Sequence, residues 1–123
     1  VSDLMVRELP TLGEDSNMRD ALELLIETNL GVVMIQNQAG KLMGVISDGD
    51  VKRVIHKSEN FLESSVLNVM TRNPRTISSN TLAEKALRDM ETDERLITFM
   101  PVVDNEKLVG LLRLHEIIQA KIK

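Results

Sequence analysis

GKLMGVISDGDVKR, residues 40–53, runs from a polar turn through an apolar stretch into a serine and two aspartates, then into a basic segment. A second stretch, EKLVGLLR at 106–113, repeats its first part, with Gly110 standing where Gly44 stands. The correspondence extends upstream. Met5 aligns with Met70, Thr11 with Thr76, Leu12 with Ile77, Ser16 with Thr81, Ala21 with Ala86 and Leu22 with Leu87, each pair 65 residues apart. Gly44 and Gly110 lie 66 apart, so unequal loops shift the register by one residue. A fixed internal period of this kind reads as a duplicated supersecondary unit.

Each copy reads as a short extended segment, a helix, two strands joined by a polar turn, and a second helix. The fold class is α+β, of mixed α/β type. Apolar residues at helical spacing (Met18, Ala21, Leu22, Leu25, Ile26, and in the second copy Ala83, Ala86, Leu87, Met90) predict one buried face on each first helix. Ser16 and Thr81 precede these faces and are expected to cap them, Thr81 with Glu84 as a capping box. Strands are predicted at 32–36 and 42–47 around the turn NQAGK, and at 100–103 and 108–112 around DNEK. Val51, Val54 and Ile55 mark one face of the helix that starts near Gly49, and Ile117 with Ile118 anchors the last helix. A half of roughly 60 residues is marginal alone, so the two copies are expected to pack sheet to sheet about a pseudo-twofold axis. The polar stretch HKSENFLESS, 56–65, reads as the connection between them.

Composition narrows the function classes. The chain has 123 residues, 42% of them hydrophobic, and a net charge of −4 without long blocks of one sign, which gives no basic footprint for nucleic acid or an anionic membrane. It has no cysteine, which fits a reducing compartment, and no apolar run of the roughly 20 residues that span a bilayer. A cytoplasmic location is the expectation. Val1 rather than a methionine opens the chain, which is expected to be an excised part of a longer protein. Of the seven methionines, Met18, Met34, Met43 and Met90 fall at patterned apolar positions and are assigned to the core. Arg72 and Arg75, in NVMTRNPRTI at 68–77, belong to a solvated loop or meet an anion.

The acidic corner at 47–50 admits several chemistries. A general acid and base pair needs carboxylates held apart with perturbed acidity, whereas Asp48 and Asp50 flank a glycine with no histidine nearby in sequence. A calcium loop needs more ligand positions than this D-G-D supplies. A helix cap, with acidic groups favoured by the helix dipole, accounts for one aspartate well. It accounts for Ser47 and Asp50 together less well, and the sugar and phosphate of a nucleotide stay open as a further reading. There is no Gly-rich phosphate loop, dinucleotide fingerprint, histidine pair at ligand spacing or nucleophile motif.

The two tandem β-α-β-β-α copies, with Gly44, Val45, Ile46, Ser47 and Asp50 in the pattern Gly-hydrophobic-hydrophobic-Ser/Thr-x-x-Asp, resemble the CBS domain pair. The resemblance implies repeats at 1–57 and 66–123, with 58–65 linking them. It implies a ligand in clefts between the repeats, touching Thr11 and the backbone of Val32, Val33 and Met34 on one side and Ser47, Asp48 and Asp50 on the other. The serine would meet a phosphate, and the Asp50 carboxylate would accept from two ribose hydroxyls, with little loss of fold on its removal. The equivalent second set is Thr76, Met100, Pro101, Arg113, His115 and Glu116. There the pattern is broken, because Arg113 replaces the hydroxyl residue and Glu116 the aspartate. Arg113 would clamp an anion, with His115 as a further donor, or lie solvated at the strand end.

The segments NLGVVMI (29–35), SDGDVKRVI (47–55) and LRLHEIIQA (112–120) are similar to the C-terminal region of bacterial D-arabinose-5-phosphate isomerases of the KpsF, GutQ and KdsD type. That resemblance implies a regulatory module beside an N-terminal sugar isomerase domain, with no catalytic residue, metal or cofactor of its own. Its ligand would be an adenosine nucleotide or CMP-Kdo, the end product of a lipopolysaccharide sugar pathway. Self-association through helix faces is expected. The alternative is a ligand-free module that holds isomerase subunits together.

Overall fold

The β-branched run Val32–Gln36 (β2) and the stretch Leu42–Ser47 (β3) pair as an antiparallel hairpin, Val32 opposite Ser47 and Met34 opposite Val45. Asn37 shapes the turn. Its side-chain oxygen accepts from the backbone N–H groups of Ala39 at 2.9 Å and Lys41 at 3.0 Å, and Gly40 takes the positive φ of 84°. The computed structural model describes residues 1–57, 59–91 and 98–122, so Ser58 of the expected linker and residues 92–97 and 123 of the second repeat lie outside the described residues.

Around this hairpin, Thr11–Gly13 (β1) adds in parallel to β2 and Thr71–Arg72 (β4) in antiparallel to β3, giving the order β1-β2-β3-β4. Three helices complete the unit: Met18–Thr28 (α1), Asp48–Val54 (α2) and Val66–Val69 (α3). The core gathers Met18, Ala21 and Leu25 of α1, Val33, Ile35 and Ile46 of the hairpin, and Phe61, Val66 and Met70. Val32, Met34 and Val45, on the opposite strand face, are buried as well. Phe61 sits in a 3-10 turn at 61–63 and is 5% exposed, so the stretch expected to be a polar connection supplies a core residue.

The other unit is built on Phe99–Asp104 (β5) and Lys107–Arg113 (β6), antiparallel, with helices Ala83–Glu91 (α4) and Leu114–Ile122 (α5). Its flanking strands shrink to single bridges. Ile77 pairs parallel to Val102, as β1 does to β2, and Val6 pairs antiparallel to Leu111, as β4 does to β3. Ile77, Ala86, Met90, Met100, Val102, Leu112 and Ile117 form the core, with Val1, Leu4 and Met5 packed against it.

The compact units therefore differ from the contiguous copies in the sequence. One comprises Pro10–Pro74, and the other comprises Val1–Leu9 with Arg75–Lys123. Each copy's opening segment joins the sheet of the other, and the two crossing points, 9/10 and 74/75, are again 65 residues apart. The glycines explain how the segments seat. A Cβ on Gly44 would stand 2.7 Å from the Met70 sulfur and 2.8 Å from the Thr71 carbonyl oxygen, and one on Gly110 would collide with the Met5 side chain.

Several local expectations change. Asn17, not Ser16, caps α1, in a box with Asp20, because the Ser16 backbone is drawn into hydrogen bonds with Gly13 and Val66. α4 begins after Leu82, whose carbonyl accepts from the Ala86 N–H, while the Thr81 carbonyl accepts from the N-terminal amine. Ile26, Ile55 and Ile118 lie at the outer margins of their helix faces and are 77%, 49% and 44% exposed. Met18, Met34 and Met90 are fully buried, and Met43 partly so.

Two outcomes are expected. Gly44→Ala should cost about 1–3 kcal/mol by urea unfolding, and more than Gly110→Ala, because the first pushes against backbone as well as a methionine whereas the second meets only the flexible Met5 side chain. Asp104 accepts from the Ser79 hydroxyl and, at 3.0 Å, the Ser79 N–H, with Ser78 adding a hydroxyl at 3.2 Å. These bonds hold its carboxyl below the ordinary carboxylate range against a smaller opposing effect of desolvation. A group depressed in the folded state stabilises above its unfolded pKa, and that contribution disappears as pH falls through the folded value. Asp104→Asn should accordingly flatten the acid-side loss of stability in urea midpoints taken between about pH 7 and pH 3.

Candidate functional site

The corner between β3 and α2 is closed by reciprocal hydrogen bonds. Ser47 is the cap residue of α2, and its Oγ accepts from the Asp50 N–H at 3.2 Å, while Asp50 Oδ2 accepts from the Ser47 N–H at 2.9 Å. The Ser47 hydroxyl also contacts Oδ2 at 3.1 Å. Oδ1 takes the Thr71 hydroxyl at 3.2 Å and the Arg53 guanidinium. Asp50 is 4% exposed, the buried charged residue among those described.

A serine followed three residues later by an acid satisfies two otherwise free N–H groups of a helix start, and a helix of only seven residues depends heavily on such a box. Here the structure corrects two expectations, that a cap accounts for one aspartate but less well for Ser47 and Asp50 together, and that Asp50 can be removed with little loss of fold. Asp50 is turned into the corner and is part of what holds the fold. Asp48, in contrast, is exposed in the first turn, and its N–H is tied to the Gly31 carbonyl at 3.2 Å.

The register nevertheless collects the first predicted set at one end of the sheet. Ser47 lies opposite Val32, and Thr11 opposite Met34. β1 pairs with β2 only from Thr11 onward, after Pro10, so Val32 and Val33 lie beyond its register. The side chains of Val32, Val33 and Met34 are fully buried, and the Met34 N–H is already given to the Pro10 carbonyl at 2.9 Å. Thr11 also borders a cavity of about 750 Å³ lined by residues 11–16 and 36–39, at the turn end of the sheet, away from Ser47.

In the other unit, Arg113 stands opposite Phe99, Met100 opposite Leu112 and Pro101 opposite Leu111, while the Pro101 carbonyl accepts from the Ile77 N–H next to exposed Thr76. Met100 and Pro101 are buried. Arg113 Nε donates to Glu116 Oε1 at 2.7 Å, so strand end and third helical residue are joined as Ser47 and Asp50 are. Glu116 Oε2 is buried with no hydrogen-bond partner among the described residues. Arg113, exposed His115 and Glu116 line a cavity of about 500 Å³ with Asp3, Leu4, Val6, Gln119 and Ala120. Thr76, Met100 and Pro101 do not line it.

The sequence reading missed Arg53 and Thr71 at the first corner, and Asp3, Leu4 and Val6 at the second. The period held a clue, because Thr71 and Val6 are 65 residues apart and occupy equivalent bridges to Val45 and Leu111. Among the described residues no group of three acidic, histidine or cysteine side chains could hold a metal ion, and no helix is long and apolar enough to cross a membrane. Arg72 is exposed and reaches the Leu67 carbonyl at 3.4 Å, and Arg75 is exposed too.

Comparison with known proteins bears on this arrangement. The family model described as CBS domain matches residues 1–57 and again 66–123. Over 122 residues the chain is 33% identical to the arabinose 5-phosphate isomerase KdsD of Yersinia pestis, covering 98% of this chain and 37% of that protein. The chain thus spans little more than a third of the length of the curated relatives it matches. Among solved structures, the CBS-domain containing protein ATU1752 of Agrobacterium tumefaciens superposes with a TM-score of 0.83 at 25% identity, over 98% of both chains. CBSX2, a CBS-pair protein of Arabidopsis thaliana, has been solved in complex with AMP, and that structure gives a TM-score of 0.80 at 27% identity over 98% of this chain and 94% of that one.

Because Asp50 accepts from four donors in a buried corner, Asp50→Ala should cost about 1–3 kcal/mol of stability, whereas Asp48→Ala at the exposed neighbour should stay within about 0.5 kcal/mol, both read from urea midpoints.

Proposed function

The chain belongs to the CBS domain family, as a pair of its repeats, and we propose that it is the regulatory, nucleotide-binding part of a sugar-phosphate isomerase. The observation that carries this reading is the corner at Ser47–Asp50, lying beside Val32 in a sheet whose neighbouring strand starts at Thr11. A hydroxyl and a carboxylate at a strand end are what a phosphate and a ribose diol require. In this reading Ser47 meets the phosphate, Asp50 the ribose hydroxyls, and Thr11, Val32, Val33, Met34 and Asp48 surround the base and sugar. Thr76, Met100, Pro101, Arg113, His115 and Glu116 form the corresponding set of the second repeat.

An adenosine nucleotide is supported by the AMP complex of the similar CBS-pair protein. The likeness to KdsD supports a parent protein that isomerises arabinose 5-phosphate in the cytoplasm through a domain outside these residues, which makes CMP-Kdo the feedback ligand of the proposal. Feedback operates only if the ligand binds two arrangements of the enzyme unequally. The repeat boundaries, 58–65 as their connection, and self-association belong to the same proposal.

The engagement of both Asp50 oxygens and the internal Arg113–Glu116 pair favour a second reading, a ligand-free module that joins isomerase subunits. A thermal-shift titration with AMP, ATP, CMP and CMP-Kdo separates the two. Under the regulatory reading at least one of them raises the midpoint in proportion to the logarithm of its concentration above Kd. No shift with any of the four at millimolar concentration gives the case to the joining module.

A further inference from the structure

We propose that Arg53 and Thr71 form an internal latch over Asp50 that a sugar diol must displace, so that these two residues set the affinity of the site and link its occupancy to β4. The inference rests on the nucleotide reading above. An ionised carboxylate is an acceptor only, with about four lone-pair positions. At Asp50 the Ser47 N–H and hydroxyl take Oδ2, and these belong to the helix cap. Oδ1 is held by different groups. The Arg53 side chain is 68% exposed and comes from one helical turn away, and the Thr71 hydroxyl comes at 3.2 Å from an exposed two-residue strand. Neither bond closes the cap, and both donors have water as an alternative partner. A cis-diol brings two hydroxyl donors to a single oxygen or to both, and Oδ1 is the one that can be vacated without opening the corner.

Thr71 gives the exchange a consequence. It is the residue that pairs with Val45 at the start of β4, directly after Met70, whose side chain lies over Gly44. Losing its bond to Asp50 loosens a segment anchored by two ladder positions, Gly44–Arg72 and Val45–Thr71. Occupancy at Asp50 is thereby read out at the point where the chain leaves one compact unit for the other, between Pro74 and Arg75.

The test uses neutral probes, so that removing a positive charge does not itself change ligand attraction. Adenosine and cytidine, each beside its 2′,3′-dideoxy counterpart, are titrated calorimetrically into the chain and into its Arg53→Met and Thr71→Val variants. Both substitutions keep side-chain bulk at exposed positions, and circular dichroism checks the fold of each. The latch predicts that preference for the diol, the ratio of dideoxy to ribo Kd, rises about fivefold or more in each variant, the effect of one hydrogen bond to the carboxylate, from a hydroxyl at Thr71 and from a guanidinium at Arg53, no longer competing. It also predicts faster amide exchange at residues 71 and 72 of the unaltered chain when the ribonucleoside is bound. A diol preference that is present but unchanged or lowered in both variants overturns the latch and leaves the nucleotide reading standing. If no nucleoside binds any of the three proteins at millimolar concentration, the comparison is made with AMP and its 2′,3′-dideoxy counterpart, and failure of these to bind as well overturns both.

Discussion

Two methionines laid over two glycines hold each sheet to its outermost strand. Met70 lies over Gly44 and Met5 over Gly110, so closely that a methyl group on either glycine would overlap the sulfur-bearing side chain. Only this approach lets Thr71 bridge to Val45 and Val6 to Leu111. Each methionine then continues into a core, Met70 with Phe61 and Val66, Met5 with Leu4 and Ile77. An unbranched, polarisable side chain suits a gap whose floor is bare backbone. The outcome is a chain that crosses between its two compact units at equivalent points, each copy completing the sheet of the other. Such pairings join residues far apart in sequence, which raises the loop-closure entropy to be overcome in folding.

The β3–α2 corner puts structure and recognition on one side chain. A helix of seven residues has little propagation energy of its own, and Ser47 and Asp50 give it a closed first turn. The carboxylate can hold the cap with one oxygen and still have another to exchange, because the cap uses Oδ2 and the movable donors use Oδ1. Exposed Asp48 has no such double engagement. Arg53 and Thr71 keep the second oxygen from being a buried acceptor without a partner, a state that costs more than a neutral hydrogen bond gains.

Much of the architecture was legible because it rests on period. Short apolar runs on either side of a polar turn located β2 and β3 to the residue, and the 3.6-residue pattern picked out Met18, Ala21, Leu25, Ala86 and Met90 as buried. The same pattern overreached at Ile26 and Ile118, since periodicity marks a face but not how wide a stripe its neighbours cover. The cap of α1 shifted for a long-range reason: at Ser16 the backbone was claimed by Val66, a contact 50 residues away that no short window contains. Phe61 lay hidden in a polar stretch, where one aromatic side chain suffices to fix a turn against α1. Of the site, the place of Ser47 opposite Val32 at the end of the hairpin followed from motif and topology. The inward turn of Asp50 did not, because the donors that hold it come from the following helical turn and from β4, whose exchange between copies leaves no mark in local composition.

The second corner keeps the backbone plan and changes the chemistry. Arg113 and Glu116 span the same three-residue step as Ser47 and Asp50, yet they join through a guanidinium and a longer acid, 2.7 Å apart and only 28% and 20% exposed. An arginine Nε donates where the serine both donated and accepted, so the Glu116 N–H receives no side-chain oxygen from residue 113. The ion pair still draws strand end and helix start together, but it leaves Glu116 Oε2 without a donor among the described residues, whereas both Asp50 oxygens are filled. An unfilled buried acceptor is the more costly arrangement, and the half-buried Arg113 beside it offsets part of that cost through its charge. The two corners of one duplicated fold are thus chemically unequal: the first offers a hydroxyl and an exchangeable carboxylate oxygen, the second a fixed ion pair. A ligand that answers to the first corner's hydroxyl finds none at the second, where the acid is a longer one already paired with Arg113, which makes the duplication symmetric in backbone and asymmetric in what it can recognise.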